Sequence, residues 1–208
     1  MIDKFCEYLT NKIRKKMPEI NDEQAEVIMY GIQLIVGEIP KIFLLFGLGI
    51  ILGLWWQTLL AFMLIIPFKA VSGGFHLKSH IGCIISTNLI YCGNAIISSI
   101  YTFPSNIVKY SVILCTLIIG IIMVSLYAPA DTENLPILTK KERKIKKILS
   151  YIFLTINMLL ASIIKNEVIS NILIFGTIIQ IFSITRLAYK LTKNQYGYEL
   201  YLKQNSNI

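Results

Sequence analysis

The amino-acid sequence predicts an all-α polytopic membrane protein, and three observations carry that expectation. Of its 208 residues, 55% are hydrophobic and 15% charged, and mean hydropathy is +0.64, well away from the balance of a water-soluble domain. Apolar stretches long enough to cross a hydrocarbon core, which takes about 20 helical residues, recur along most of the chain. Between them lie the Lys, Arg, Pro and Gly residues that anchor spans or end helices. About six transmembrane helices preceded by an amphipathic helix are expected, forming one membrane-embedded unit over residues 1–208.

Residues 1–26 mix apolar and charged positions, with Phe5, Leu9 and Ile13 at helical spacing beside Lys12, Arg14, Lys15 and Lys16. That pattern suits a helix lying on an anionic membrane surface, although a loosely ordered basic arm fits it equally. No apolar core followed by a small-residue cleavage site precedes it, so no signal peptide is expected. The next stretch, VIMYGIQLIVGEIPKIFLLFGLGIILGL, is interrupted by Gly37, Glu38, Pro40 and Lys41. It reads as an entry segment followed by a first span that ends near Trp55, where Trp55 and Trp56 form an interfacial anchor. A short second span runs from about Gln57 and closes at Lys69, and a third runs from Ile81 to Phe103. After the helix-breaking FPSN, a fourth covers Ile107 to Tyr127. Residues 128–147 read as a basic cytoplasmic loop, with Pro129 and Pro136 and then six basic residues against one Glu from Lys140 to Lys147. Ile148 to Ile164 and Val168 to Ala188 complete a last hairpin before a polar tail.

The formal net charge is +8, and the basic clusters mark one side of the membrane, with Lys109 and Lys165 as the main exceptions. Both termini are therefore expected in the cytoplasm of a multi-pass cell-membrane protein. No nucleic-acid partner is expected. The four cysteines show no paired spacing and are not a disulfide framework.

Polar groups near the membrane core are costly, so each is a functional candidate. Glu38 has Lys41 as a same-face partner three residues on, and Gln33 and Asn88 suit hydrogen bonding between helices. The richest segment is 69–83, KAVSGGFHLKSHIGC. His76, His80 and Cys83 fall at i, i+4 and i+7, one face of an unbroken helix. Zinc is one reading of that face, but there is no HExxH pattern and no Asp or Glu between Lys41 and Pro129 to act as general base. No metal or other cofactor is expected. The competing reading is a cysteine nucleophile with a histidine base. Cys83 lies near the start of an expected helix with Lys78 close by, and both features favour thiolate. Spacing does not choose between His76 and His80. On a straight helix His76 and Cys83 would stand about 10 Å apart along the axis, too far for proton transfer. Either the backbone folds back between them or the pair forms across a dimer, and Gly73 and Gly74 permit unusual backbone angles just upstream. An interface without chemistry also remains open, as does a small permease or metal transporter lined by Glu38, His76, His80 and Cys83, or a structural partner of a sensor kinase.

Three segments in order, YGIQLIVGEIPK, KAVSGGFHLKSHIGC and YAPADTENLPI with its following basic cluster, resemble the accessory gene regulator B (AgrB) family. The resemblance spans almost the whole chain. It implies a membrane cysteine endopeptidase that processes the precursor of a cyclic quorum-sensing peptide, and it selects His76 and Cys83 as the catalytic pair. Lys69 and Gly74 match family positions associated with activity, Lys69 standing where Arg is common and offering no planar fork to a carboxylate. The implied partners are membrane lipid, a second copy of the chain in a homodimer, and a short amphipathic propeptide with an acidic tail. The lysines of the basic cluster, Lys140 and Lys141 among them, would offer that tail complementary charge, although topology alone explains the cluster equally. Asp131 is the expected acceptor that orients His76, since a histidine base usually has its second nitrogen held.

Overall fold

The computed structural model describes residues 2–17, 19–77, 79–133 and 136–205; of residues 2–4, 23, 27, 30, 33–35, 80 and 205 only the backbone is described. Lys78 and the side chains of Gln33 and His80 therefore lie outside the described residues. The described chain is all helix apart from loops and one isolated bridge between extended residues. In order the elements are α1 (Ile2–Lys16), α2 (Asp22–Ile51), α3 (Trp55–Ser72), α4 (His80–Ile100), α5 (Asn106–Tyr127), α6 (Lys140–Ile163), α7 (Glu167–Ser183), α8 (Arg186–Leu191) and α9 (Gly197–Asn205). Four described helices, α3 to α6, are long and apolar enough to cross a membrane, and α7 is a shorter apolar helix. The six apolar segments read from the sequence correspond to α2 through α7.

Six of the described helices, α2 and α4 to α8, begin at a residue whose side chain caps the first turn. Asn21 and Gln24 form a reciprocal capping box at the start of α2, and Ser79, Ser105, Thr139 and Asn166 each accept an N–H from the first turn of the helix that follows. Two boundaries differ from expectation. The stretch around Pro40 does not end a helix, because α2 runs through it; a break there would leave backbone polar groups facing hydrocarbon, and membrane helices tolerate proline when neighbours resatisfy those groups. The basic run is not part of a loop either: the loop of 128–147 stops at Thr139, and Lys140 to Lys147 form the opening turns of α6. Glu142 sits in the first turn of that helix and pairs with Lys146 at 3.1 Å, which favours helix over loop.

α7 lies at the centre. Its Ile172, Leu173 and Ile174 are fully buried, and it packs on α3, α4, α5 and α6. Amide side chains tie this centre to its neighbours: Asn94 donates to the Ile172 carbonyl at 3.1 Å, and Asn171 donates to the carbonyls of Tyr101 at 2.7 Å and Ser98 at 3.3 Å. Asn88, expected to link helices, instead donates to Ile84 of its own helix. Gly176 lets α3 and α7 approach, since an added Cβ there would lie 2.0 Å from Ile65 Cδ1.

α1 folds back against α2, burying Cys6 and Thr10 while Phe5 and Tyr8 stay exposed, and Arg14 pairs with Asp22 at 2.7 Å. The apolar face expected at Phe5, Leu9 and Ile13 is thus only partly covered by the protein.

Candidate functional site

The site forms where α3 ends and α4 begins. Gly73 ends α3 with φ +76°, and Gly74 follows with φ +136°, both in the region that side chains resist. Ser79 then caps α4. His76 consequently stands on a loop while Cys83 occupies the first turn of α4, and the break that their separation on a straight helix requires falls between them. The face that would have aligned His76, His80 and Cys83 for a metal does not form, and the described residues contain no group of three or more His, Cys, Asp or Glu suited to a metal ion.

Distant segments hold the loop. Ala130 N–H donates to the Ser72 carbonyl at 2.8 Å and Gly74 N–H donates to the Ala130 carbonyl at 2.9 Å, making a short parallel bridge. Gln180 Nε2 donates to Ser72 Oγ at 2.8 Å and to the Gly73 carbonyl at 2.7 Å, and Phe75 N–H reaches the Ser183 carbonyl at 3.2 Å. Asn194 Nδ2 donates to the carbonyl of His76 itself at 2.7 Å. A methyl group on Gly73 would lie 2.1 Å from the Ala130 oxygen, and one on Gly74 would lie 2.7 Å from Ser183 Oγ.

His76 and Cys83 line one cavity of about 170 Å³ together with Glu38, Lys41, Lys69 and Tyr91. Lys41 is buried and bonded to Glu38 at 2.5 Å, and both Lys41 and Lys69 interact electrostatically with Glu38 and Cys83. The imidazole of His76 is pushed down to about 4, first by burial and then by the Lys69 and Lys41 ammonium groups. Although the residue keeps an exposed face, the protein around the ring withdraws enough water to disfavour the cation. A second cavity of about 500 Å³ opens on the other side of Lys69 and His76, walled by Gly73, Gly74, Ala130 and Asp131 and by Glu142 and Lys146 of α6.

Asp131 lines the larger cavity with His76, and the bonds its carboxylate makes run to the supporting loop. Its side chain is fully buried, and Oδ2 accepts from the Ile137 N–H at 2.9 Å, the Tyr198 N–H at 3.0 Å and Arg143 Nη1 at 3.1 Å. Arg143 also donates to the Pro129 carbonyl and lies over the Tyr198 ring at 4.3 Å, while Tyr189 Oη donates to the carbonyls of Ala130 and Asp131. Asp131 thus fastens the loop that supports Gly73 and Gly74. Asp131→Asn keeps the shape but removes the charge facing Arg143. Breaking a buried pair costs about 3 kcal/mol or more, so thermal unfolding in detergent should show a clear loss of stability, with no shift in the pH dependence that a histidine-orienting carboxylate would produce.

Of the basic cluster, Arg143 serves Asp131, Lys146 pairs with Glu142, and Lys147 donates to the Ser125 carbonyl. Lys140 and Lys141 remain exposed at the start of α6. The residue that sequence reasoning missed in this role is Lys41. The available signal was hairpin register: counting outward equally from the turn at Gly53 brings Glu38 and Lys41 level with the end of α3 that carries Lys69.

The chain is similar to known proteins over most of its length. The chain is 29% identical over 202 residues to an AgrB-like protein of Listeria welshimeri, covering 96% of this chain and 94% of that one. It is 27% identical over 201 residues to an AgrB-like protein of Listeria monocytogenes, with 96% and 94% covered. It is 31% identical over 183 residues to the accessory gene regulator protein B of Staphylococcus epidermidis, covering 86% of each chain. No solved structure matches. Residues 6–184 match the family model described as accessory gene regulator B, and the chain belongs to that family.

Proposed function

We propose that this protein is a membrane cysteine endopeptidase that cleaves a short quorum-sensing propeptide through a peptidyl thioester on Cys83. The observation that carries this reading is the meeting of His76 and Cys83 in one cavity flanked by ammonium groups. His76 takes the Cys83 proton, and the sulfur attacks the scissile carbonyl carbon. The tetrahedral intermediate collapses to a thioester while the C–N bond breaks, and His76 returns the proton to the departing amine. A nucleophilic side chain earlier in the same peptide, a Cys or a Ser, then attacks the thioester, closes a thiolactone or lactone ring and releases Cys83. Hydrolysis competes with that closure, so the enclosed cavity serves to keep water from the thioester.

The 500 Å³ groove beside His76 suits an extended peptide, and Lys146 in its lining together with the exposed Lys140 and Lys141 earlier on α6 suits an acidic tail. Gly73 and Gly74 shape the loop, and Lys69 stands on the wall shared by the two cavities. His76 and Cys83 of one chain line one cavity, which supports a dyad formed within a single chain. The basic clusters support a cytoplasmic face for the site, where the propeptide would meet it.

The test is mass spectrometry of the detergent-solubilised protein mixed with the peptide encoded beside it. A covalent adduct with the mass of the N-terminal fragment supports the peptidase. An intact peptide together with stoichiometric bound metal supports a transporter instead.

The protonation of His76 adds a second check. Neutral imidazole is the form that accepts a proton, and with its folded value near 4 it stays neutral well below the usual 6.5. Processing should therefore persist into mildly acidic solution, with its acid limb below the ordinary imidazole range. Between those two pH values the unfolded chain binds more protons at this histidine than the folded one does. Folding stability should accordingly fall as pH drops through that window, and His76→Gln should fall less steeply.

A further inference from the structure

Lys41 reaches into the cavity from α2, at the level where Glu38 can hold it. Its side chain is 8% exposed and that of Glu38 is 54% exposed, so the carboxylate faces outward while the ammonium is enclosed. The charged groups that face Cys83 can be counted element by element. α2 supplies Glu38 and Lys41, α3 supplies Lys69, the glycine loop supplies His76, and the described part of α4 adds only the uncharged phenol of Tyr91. Among the described residues, one carboxylate stands against two lysines, an excess of one positive charge when the imidazole is neutral and both amines are protonated. A buried unmatched charge is costly, and the cavity is therefore disposed to hold an anion. Lys41 and Lys69 line the same cavity as Cys83. Lys41 is the one of the two that is bonded to Glu38, which makes it the pre-aligned donor.

We propose that Lys41 is a catalytic residue of this site, its ammonium stabilising the negative charge that forms first on the Cys83 sulfur and then on the oxygen of the tetrahedral intermediate. This rests on the cysteine-peptidase reading of the same cavity. As the S–H proton passes to His76, charge appears on sulfur against the Lys41 ammonium, while the imidazolium, disfavoured by its surroundings, holds the proton only until the amine departs. The S–C bond forms, the carbonyl π pair moves onto oxygen, and Lys41 donates a hydrogen bond to that oxygen. The pair then returns, the C–N bond breaks and the His76 proton leaves with the amine. Lys41 itself neither gains nor loses a proton. Glu38 is a positioning residue that acts through Lys41.

The experiment compares Lys41→Met, Lys41→Arg and Glu38→Gln in the full chain in detergent, reading iodoacetamide alkylation at Cys83 by peptide mass spectrometry across pH, alongside propeptide processing. Lys41→Met should slow Cys83 alkylation about tenfold at pH 7, the gap closing in alkaline solution where thiolate forms unaided, and should slow processing on the order of 10²-fold. Lys41→Arg should keep most of both. Alkylation of folded Lys41→Met at the unmodified rate across pH overturns the proposal, as does an arginine variant as slow as the methionine one. Should Lys41→Met fail to fold, Glu38→Gln decides: with the carboxylate that holds Lys41 replaced, alkylation at pH 7 and processing should both slow, and unchanged or faster rates overturn the proposal. If Cys83→Ala still processes the peptide, the peptidase reading itself fails, whatever Lys41 does. If Cys83 is essential and the Lys41 variants alkylate normally, only the role of Lys41 falls.

Discussion

Cys83→Ala is expected to abolish propeptide processing, by a factor on the order of 10⁴ or more, and to remove the covalent adduct entirely. The reason is chemical rather than architectural. Cys83 is partly buried beside the cavity, and its backbone N–H bonds to the Ser79 carbonyl at 2.9 Å as part of the regular first turn of α4. Alanine is compatible with that turn, so the helix and its cap should survive. His76→Gln is expected to be less severe, a loss of about 10² to 10⁴, because the nucleophile and the Lys41 and Lys69 charges remain. Cys83→Ala with unaltered thermal unfolding and no processing is the result that separates loss of a nucleophile from loss of a fold. Processing by a folded Cys83→Ala protein would exclude the thioester.

Gly73→Ala is expected to lower processing at least about 10²-fold without replacing any group that reacts. Two costs coincide at this residue. Its φ of +76° disfavours a side chain, and a Cβ would lie 2.1 Å from the Ala130 oxygen. That oxygen is itself held, since it accepts from Gly74 N–H and from Tyr189 Oη. The loop must therefore move, and with it His76, only three residues on; displacements of about 1 Å at a reacting group can cost that much. The variant should retain its helical circular dichroism and lose activity. Full activity in Gly73→Ala would mean that the bridge to Ala130 does not set the position of His76.

The sequence made the membrane helices legible because apolar runs and capping residues are local signals. Ser79, Ser105, Thr139 and Asn166 each stand where a helix starts. Pro40 misled because its local helix-breaking tendency is outweighed by the cost of exposed backbone in lipid. The placement of His76 and Cys83 on opposite sides of a helix start was legible in part: helix geometry required a break, and Gly73 and Gly74 marked where the chain could bend. The partners of Asp131 were not legible. Arg143 lies twelve residues on, but the other fixed points, Tyr189 and Tyr198, come from the far end of the chain. A search for the acceptor that chemistry usually supplies to a histidine base led to Asp131, whereas tertiary structure commits that carboxylate to the supporting loop. Lys41 was noticed as the partner of Glu38, but its approach to Cys83 depends on how α2 and α4 pack, which no local pattern records.

The bridge between the glycine loop and Ala130 also bears on how the protein is made. A nascent chain that has emerged only as far as α4 already carries His76 and Cys83, but none of the groups that fix the loop between them. Ala130, Gln180 and Ser183 follow later, and Asn194, which holds the His76 carbonyl, is 118 residues further along. Assembly of the candidate site is thereby deferred until almost the whole polypeptide has been inserted, and a truncated chain would carry His76 and Cys83 in the membrane without the groups that hold them.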